Sequence, residues 1–400
     1  DDIILTGDIT LGADITIKKN LCIRSKDGSR YTISVANNNQ FKINPGFTLN
    51  LTNIVFDGKD GNKIYEGRNY AVFTLNSSPD TSNTNTIARL RLNAGTTIRN
   101  VQLSKPRWGT AGSNHAVIYA QKGSRVNIRK GAEILDCHNK SAEGNGGAIN
   151  CDSGNIIING GVIANCSAKG SGGAIRVTGA RNTAEDHLGV AFRGDIFLYG
   201  GYITNNVCGE GSATGAECYG GGIYLGDTGP MLHVIGPAVV SNNICKVRTG
   251  GSNYNPTYTE IPDDVSTFEL DERYANRLKL SGDESGLTFD EGWIGVRYPD
   301  LRGKTETEIE EELKKRSFGG VWEYFTSTPE ESRQFFWNGD NRYRGWMNGN
   351  ALVWTRHKIY QLPHDRTTVK DVLLAADTNF PIFIEFNDGF IMNKEALGDS

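Results

Sequence analysis

A repeated glycine turn constrains this chain more than any other feature. Gly144-Asn-Gly-Gly-Ala-Ile-Asn-Cys151 returns as Gly170-Ser-Gly-Gly-Ala-Ile-Arg-Val177, and a looser copy follows at Tyr219-Gly-Gly-Gly-Ile-Tyr-Leu225. Each turn feeds a short apolar strand, and a second apolar strand then ends in Asp or Asn: Ile134-Leu-Asp136, Val162-Ile-Ala-Asn165, Tyr202-Ile-Thr-Asn205 and Val239-Val-Ser-Asn242. A unit of this size cannot bury its apolar face alone, so copies must stack on one another.

The same logic extends in both directions. Residues 1–57 alternate apolar and polar with a period of two, as in Ile3-Ile-Leu5, Ile15-Thr-Ile17, Tyr31-Thr-Ile-Ser34 and Phe41-Lys-Ile43, with Gly, Asn and Asp between the runs. That pattern predicts short strands joined by tight turns, the first of them covering the open end of the stack. Asp57, Asn100, Asp136, Asn165, Asn205 and Asn242 end successive second strands at intervals of roughly 29 to 43 residues, a solenoid spacing. Asn and Asp tolerate left-handed backbone and bond to neighbouring turns, so they are expected to form a ladder.

The first strands align as Ala71-Val-Phe-Thr74, Ala116-Val-Ile-Tyr119, Ala148-Ile-Asn-Cys151, Ala174-Ile-Arg-Val177 and Gly222-Ile-Tyr-Leu225, with Phe268-Glu-Leu-Asp271 continuing the series. Side chains alternate across a strand, so Ile149, Ile175, Ile223 and Phe268 should line the interior. Asn150, Arg176, Tyr224 and Glu269 should then form one outward column, with Asp152, Thr178 and Asp271 beside it. Long insertions at 57–69, 76–87, 104–114, 179–192, 209–219 and 246–264 are expected to wall a groove along that column. After residue 272 the repeat weakens, though Leu278-Lys-Leu280, Leu287-Thr-Phe289 and Trp293-Ile-Gly-Val296 still read as strands of a last coil. A capping box at Thr305-Glu-Thr-Glu308 predicts a helix to Lys315, and Gly345–Trp354 reads as a closing hairpin. The fold class is therefore all-β: a parallel β-helix over 1–303 with an N-terminal cap, and a small mixed α/β capping region over 304–400.

Gly is abundant (49 of 400), as many turns require, and the net charge of −4 makes no case for nucleic acid. No run is long enough for a transmembrane helix. The chain opens at Asp1-Asp2 with neither an initiator Met nor a signal segment, as expected of a mature or trimmed piece. Seven Cys leave at least one unpaired; Cys208 and Cys218 bracket a polar loop that a disulfide would close in an oxidising compartment, while most Cys are expected to act as small interior hydrophobes.

The Gly-Gly-Ala-Ile repeats with Asn-terminated strands, and the opening Asp2-Ile-Ile-Leu-Thr-Gly-Asp8 through Leu21-Cys-Ile-Arg24, resemble the right-handed parallel β-helix repeats of bacterial surface proteins. These include adhesin-like proteins of gut microbes, polymorphic outer-membrane proteins and, among enzymes, β-helical lacto-N-biosidases. The resemblance covers roughly residues 1–300. It implies a secreted or cell-surface monomer with a glycan partner and either adhesive or glycosidic activity.

Glycoside hydrolysis needs two carboxyl groups flanking one bond, about 5–5.5 Å apart for retention and further apart for inversion. The best-placed acidic cluster for this chemistry is Asp264, Glu269 and Asp271, on the strand expected after the longest insertion. Asp264 and Asp271 are the expected catalytic pair. Asn150, Asp152, Arg176, Tyr224 and Glu269 are expected to bind substrate, with Tyr254, Tyr258 and Trp108 from the loops, because sugar rings stack on aromatic faces while their hydroxyls need polar partners. Asp283 and Asp290 repeat the seven-residue spacing as a weaker pair. Glu260 with Asp263 and Asp264 is the one acidic group that would suit the Ca²⁺ of a lyase. Zinc spacing, a Gly-x-Ser-x-Gly elbow and a phosphate loop are all missing, so no cofactor is expected. The alternative function is a non-enzymatic adhesin using the same face.

Overall fold

The computed structural model describes residues 1–78, 84–104, 115–141, 144–179, 194–210, 218–226, 230–236, 238–252, 255–267, 278–280 and 291–295. Beyond these it describes 305, 343–348, 351–356, 359–362, 368–370, 373 and 383–386. The expected helix over 308–315 lies outside them.

The described chain has almost no helix; its strands lie in curled sheets that are overwhelmingly parallel, joined by turns and irregular backbone. Strands pair with strands one repeat away, giving long ladders consistent with a β-helix-like stack. The front ladder runs through Ile15–Ile17, Phe41–Ile43, Phe73–Leu75, Ile118–Ala120, Ile149–Asp152, Ile175–Thr178, Ile223–Leu225 and Val265–Thr267. A second ladder takes Asp2–Leu5, Leu21–Ser25, Thr48–Thr52, Ala88–Leu92 and Ser124–Arg129. A third takes Ile9–Thr10, Tyr31–Ser34, Ile54–Asp57, Thr97–Arg99 and Glu133–Leu135. Asn155–Ala164 and Ile196–Thr204 run through the second and third ladders alike, bending at Gly160 and at Gly200-Gly201, where φ is positive and the register shifts. A short fourth ladder follows the Asn turns: Gln102–Leu103, His138–Asn139, Ser167–Ala168, Val207–Cys208 and Ile244–Gly251.

Period-two alternation explains why these segments are strands. In the front ladder Ile118, Ile149, Ile175, Ile223 and Val265 point inward and are fully buried. Each such side chain contributes on the order of 2 kcal/mol of burial. The interior of the early repeats is larger and is filled by Phe41, Phe56 and Phe73, whose ring centroids are 5.0–5.9 Å apart in edge and stacked contacts.

The glycine repeat is explained by close approach between stacked turns. A Cβ on Gly147 would stand 2.2 Å from the carbonyl oxygen of Gly173, and one on Gly173 would stand 2.1 Å from that of Gly221. The Asn turn also behaves as expected: Asn100, Asp136, Asn165, Asn205 and Asn242 all have φ between 52° and 59°. Asp57 departs from that set. It is not left-handed, and its carboxylate accepts from Asn100 Nδ2 at 3.0 Å.

Two expectations, on the rung opposite Ile223 and on the insertion 246–264, are corrected. The rung opposite Ile223–Leu225 is Val265–Thr267, three residues before the expected strand, with Val265 in the inward place opposite Ile223; residues 268–271 lie outside the described residues. The opening strands are themselves rungs: they pair with the next repeat in three ladders and leave Ile3, Ile4, Ile9 and Ile15 exposed. The insertion 246–264 is largely a hairpin, Ile244–Gly251 against Pro256–Pro262, built on its own alternation of side chains. The cysteines are free thiols, six of the seven buried as the expected small interior hydrophobes; Cys208 and Cys218, the pair a disulfide would have joined, pack with Cys245 in a small buried cluster. In the C-terminal region Tyr343–Asn348 and Ala351–Arg356 form the expected antiparallel hairpin, which pairs with Glu291–Gly295.

Candidate functional site

Register fixes the outward column of the front ladder. It reads Lys42, Thr74, Tyr119, Asn150, Arg176, Tyr224, Ser266 from one rung to the next. Three of the predicted binding residues, Asn150, Arg176 and Tyr224, therefore stand on consecutive strands about 4.8 Å apart. Ser266 occupies the place expected of Glu269. Asn150 has its place in the outward column between Tyr119 and Arg176, yet is only 1% exposed. Arg176 Nη1 donates to Asn150 Oδ1 at 3.3 Å. Asp152 is exposed at the end of its strand, 3.5 Å from the hydroxyl of Thr178.

Aromatic rings flank the column in two places. Tyr219 stacks on Tyr224 with centroids 6.0 Å apart and an interplanar angle of 21°. His115 meets Tyr119 edge-on at 5.0 Å and Tyr70 at 6.0 Å. The sequence reading missed Tyr119, Tyr219 and the His115–Tyr70 pair; the alignment Ala116-Val-Ile-Tyr119 contained the signal, since Tyr119 heads the same outward position. Burial raises the Tyr119 phenol, with the Asp152 carboxylate adding to it and Arg176 opposing. Burial also lowers His115, whose imidazole is thereby held neutral, with its Nδ1 buried and unpaired. The result is a strip with aromatic faces at two points, amide and guanidinium donors between them, and one exposed carboxylate.

The acidic candidates take other places. Asp264 is 7% exposed, and its Oδ1 accepts from the backbone N–H of Asn243 (2.8 Å) and from Asn243 Nδ2 (2.6 Å). Asn243 Oδ1 in turn accepts from the N–H and Nδ2 of Asn206, and Asn206 Oδ1 from the N–H of Cys166. The side-chain ladder thus lies one residue beyond the left-handed turn residues, and Asp264 terminates it. Burial pushes Asp264 up to about 6; the two Asn243 donors pull it down and the neighbouring Asp263 adds to the rise. Asp263 ends the glycine ladder in the same way: one carboxylate oxygen accepts from Gly220 N–H and the other from the Ser266 hydroxyl. Glu260 sits apart on the hairpin, 3.7 Å from Lys246. Tyr258 is on the same hairpin opposite Arg248, in the fourth ladder rather than the front one. Trp108, Tyr254, Glu269, Asp271, Asp283 and Asp290 lie outside the described residues.

A polar depression of about 560 Å³ opens on the third ladder around Asp57, Lys59, Arg99, Asn100 and Asp136. Two of its charges pair with each other, Arg99 Nε standing 2.8 Å from the Asp57 carboxylate. Among the described residues no group of three His, Cys, Asp or Glu is placed to hold a metal ion, and no helix is long and apolar enough to cross a membrane. Comparison with known proteins finds no matching family model, no matching curated protein and no matching solved structure.

Proposed function

We propose that the chain is a right-handed parallel β-helix, capped by its C-terminal region, that works outside the cell as a monomer and binds a glycan along its front ladder. The observation that carries this reading is the column Tyr119–Asn150–Arg176–Tyr224 with Tyr219 stacked at one end. Rings at Tyr119 and Tyr224 are three rungs apart, about 14 Å, and polar donors lie between them. That alternation of flat apolar faces and fixed polar groups suits pyranose rings, which present both kinds of surface.

Hydrolysis is the second reading, and one observation favours it: a carboxyl raised to about 6, as at Asp264, is partly protonated near neutrality and so suited to a general acid. Its oxygen is committed to Asn243, which favours binding over cleavage as the first reading. The experiment is a panel of host and plant oligosaccharides, scored both for retention on the protein and for released sugars by mass spectrometry. Retention without cleavage supports the binding reading, and cleavage abolished by Asp264→Asn supports the enzyme. Failure of every glycan to bind or react would sink both.

A further inference from the structure

The second ladder carries an unusual concentration of positive charge. Ala88–Leu92 and Ser124–Arg129 pair in register, so Arg89 lies opposite Arg125 and Arg91 opposite Asn127. Leu90, Leu92, Val126 and Ile128 are fully buried, which puts Arg89, Arg91, Arg125 and Asn127 on the outer face, all half-buried there. Rungs are about 4.8 Å apart and alternate residues of a strand about 7 Å, so the three guanidinium groups share one small area.

The adjoining rungs present neutral side chains. The rung before carries Thr48 and Asn50, and the rung after carries Asn155 opposite Arg125. Asp195, whose backbone N–H donates to Asn155 Oδ1, stands 3.5 Å from His233. Burial lowers Arg125, the Arg91 charge lowers it further, and the Tyr199 phenol alone opposes; Arg89 is lowered by burial, Arg125 and Arg91. Among the described residues no carboxylate lies against Arg91 or Arg125, and Arg125 Nε is buried without a hydrogen-bond partner. Arg89 donates from Nη1 to the Ile87 carbonyl at 3.3 Å, while elsewhere Arg24 meets Asp2 and Asp27, and Arg99 meets Asp57.

Crowded, half-desolvated like charges are costly, and an opposite charge placed between them reverses the sign of that cost. Guanidinium forks match the oxygens of a tetrahedral oxyanion two at a time, and neutral Asn donors complete such a cradle. We infer that this face is a binding site for an oxyanion, the sulfate or phosphate group of a ligand, held between Arg91 and Arg125 with Arg89, Asn50 and Asn127 around it. The site is on a different ladder from the glycan strip and stands whether or not that reading holds.

Calorimetric titration of the folded chain at constant ionic strength, with chloride as control, tests it. The probes are sodium sulfate, sodium phosphate and a heparin-type sulfated hexasaccharide. The wild type should bind at least one of them, and the double variant Arg91→Gln/Arg125→Gln should bind at least tenfold more weakly. Arg24→Gln, on an arginine that already has acidic partners, should match the wild type. If the double variant does not fold by circular dichroism, Arg91→Lys serves instead: it keeps the charge, loses the fork, and should still weaken binding severalfold. Binding of the inorganic ions assigns a free anion, and binding of the hexasaccharide alone assigns a polymer-borne sulfate. Equal affinity in wild type and variant, or no binding above chloride for any probe, overturns the proposal.

Discussion

Replacing Asp264 by Asn separates a structural carboxylate from a catalytic one, because the amide keeps the acceptor that Asn243 uses and removes only the charge. The folded carboxyl titrates at about 6, against an ordinary value of 3.8. The folded state therefore holds this proton more tightly than the unfolded chain does. The stability it contributes is full below about pH 3.8 and is lost as pH rises through 6. A gap of about 2 pK units at about 1.36 kcal/mol each gives about 3 kcal/mol across that window. The uncharged amide of the Asp264→Asn variant has no such window. Urea unfolding of both proteins at several pH values measures the difference directly, since every other titrating group cancels. Near pH 4 the two should be within about 1 kcal/mol of each other, whereas at pH 7 Asp264→Asn should be more stable than wild type by up to about 3 kcal/mol. A stability difference that is flat with pH, or a variant less stable at pH 7 than at pH 4 relative to wild type, would refute the reasoning.

Gly173→Ala places a Cβ against the Gly221 carbonyl, and because both partners are backbone it should cost about 3 kcal/mol or prevent folding, read as a fall in melting temperature. Arg68 is 1% exposed and donates to the carbonyls of Val35, Asn37, Asn39 and Ala71, so Arg68→Met should destabilise by about 3 kcal/mol or more through the stranded acceptors. Asn205→Gly should be nearly neutral while Asn205→Val costs about 2 kcal/mol, because φ is 57° there. Tyr224→Ala and Arg176→Gln should each weaken glycan retention at least tenfold, and loss of binding without a change in melting temperature distinguishes a contact from a structural role.

Much of the candidate strip was legible in the residues. Two aligned strands, Ala148-Ile-Asn-Cys151 and Ala174-Ile-Arg-Val177, place Asn150 and Arg176 outward by alternation alone, and the register joins them as expected. The acidic residues were not legible in the same way. Asp264 precedes a strand whose start depends on whether Val265 or Phe268 takes the inward place, and a slip of three residues turns a presumed groove carboxylate into a buried ladder end. Linear spacing carries no information on that choice, because both residues are apolar and only packing against Ile223 distinguishes them.

By itself the sequence determined the all-β character, the period of the stack, the inward faces and the left-handed Asn turns, because alternation, glycine and asparagine act through local backbone geometry and repeat at nearly constant intervals. The tertiary structure decided which residues meet across repeats: the Gly147–Gly173–Gly221 approach, the Asn206–Asn243–Asp264 ladder, the rings around Tyr119 and the crowding of Arg89, Arg91 and Arg125. Apart from His115 against Tyr119, those contacts join positions about 20 to 50 residues apart through the register of parallel strands, and register is set by the summed packing of the whole core rather than by any local signal.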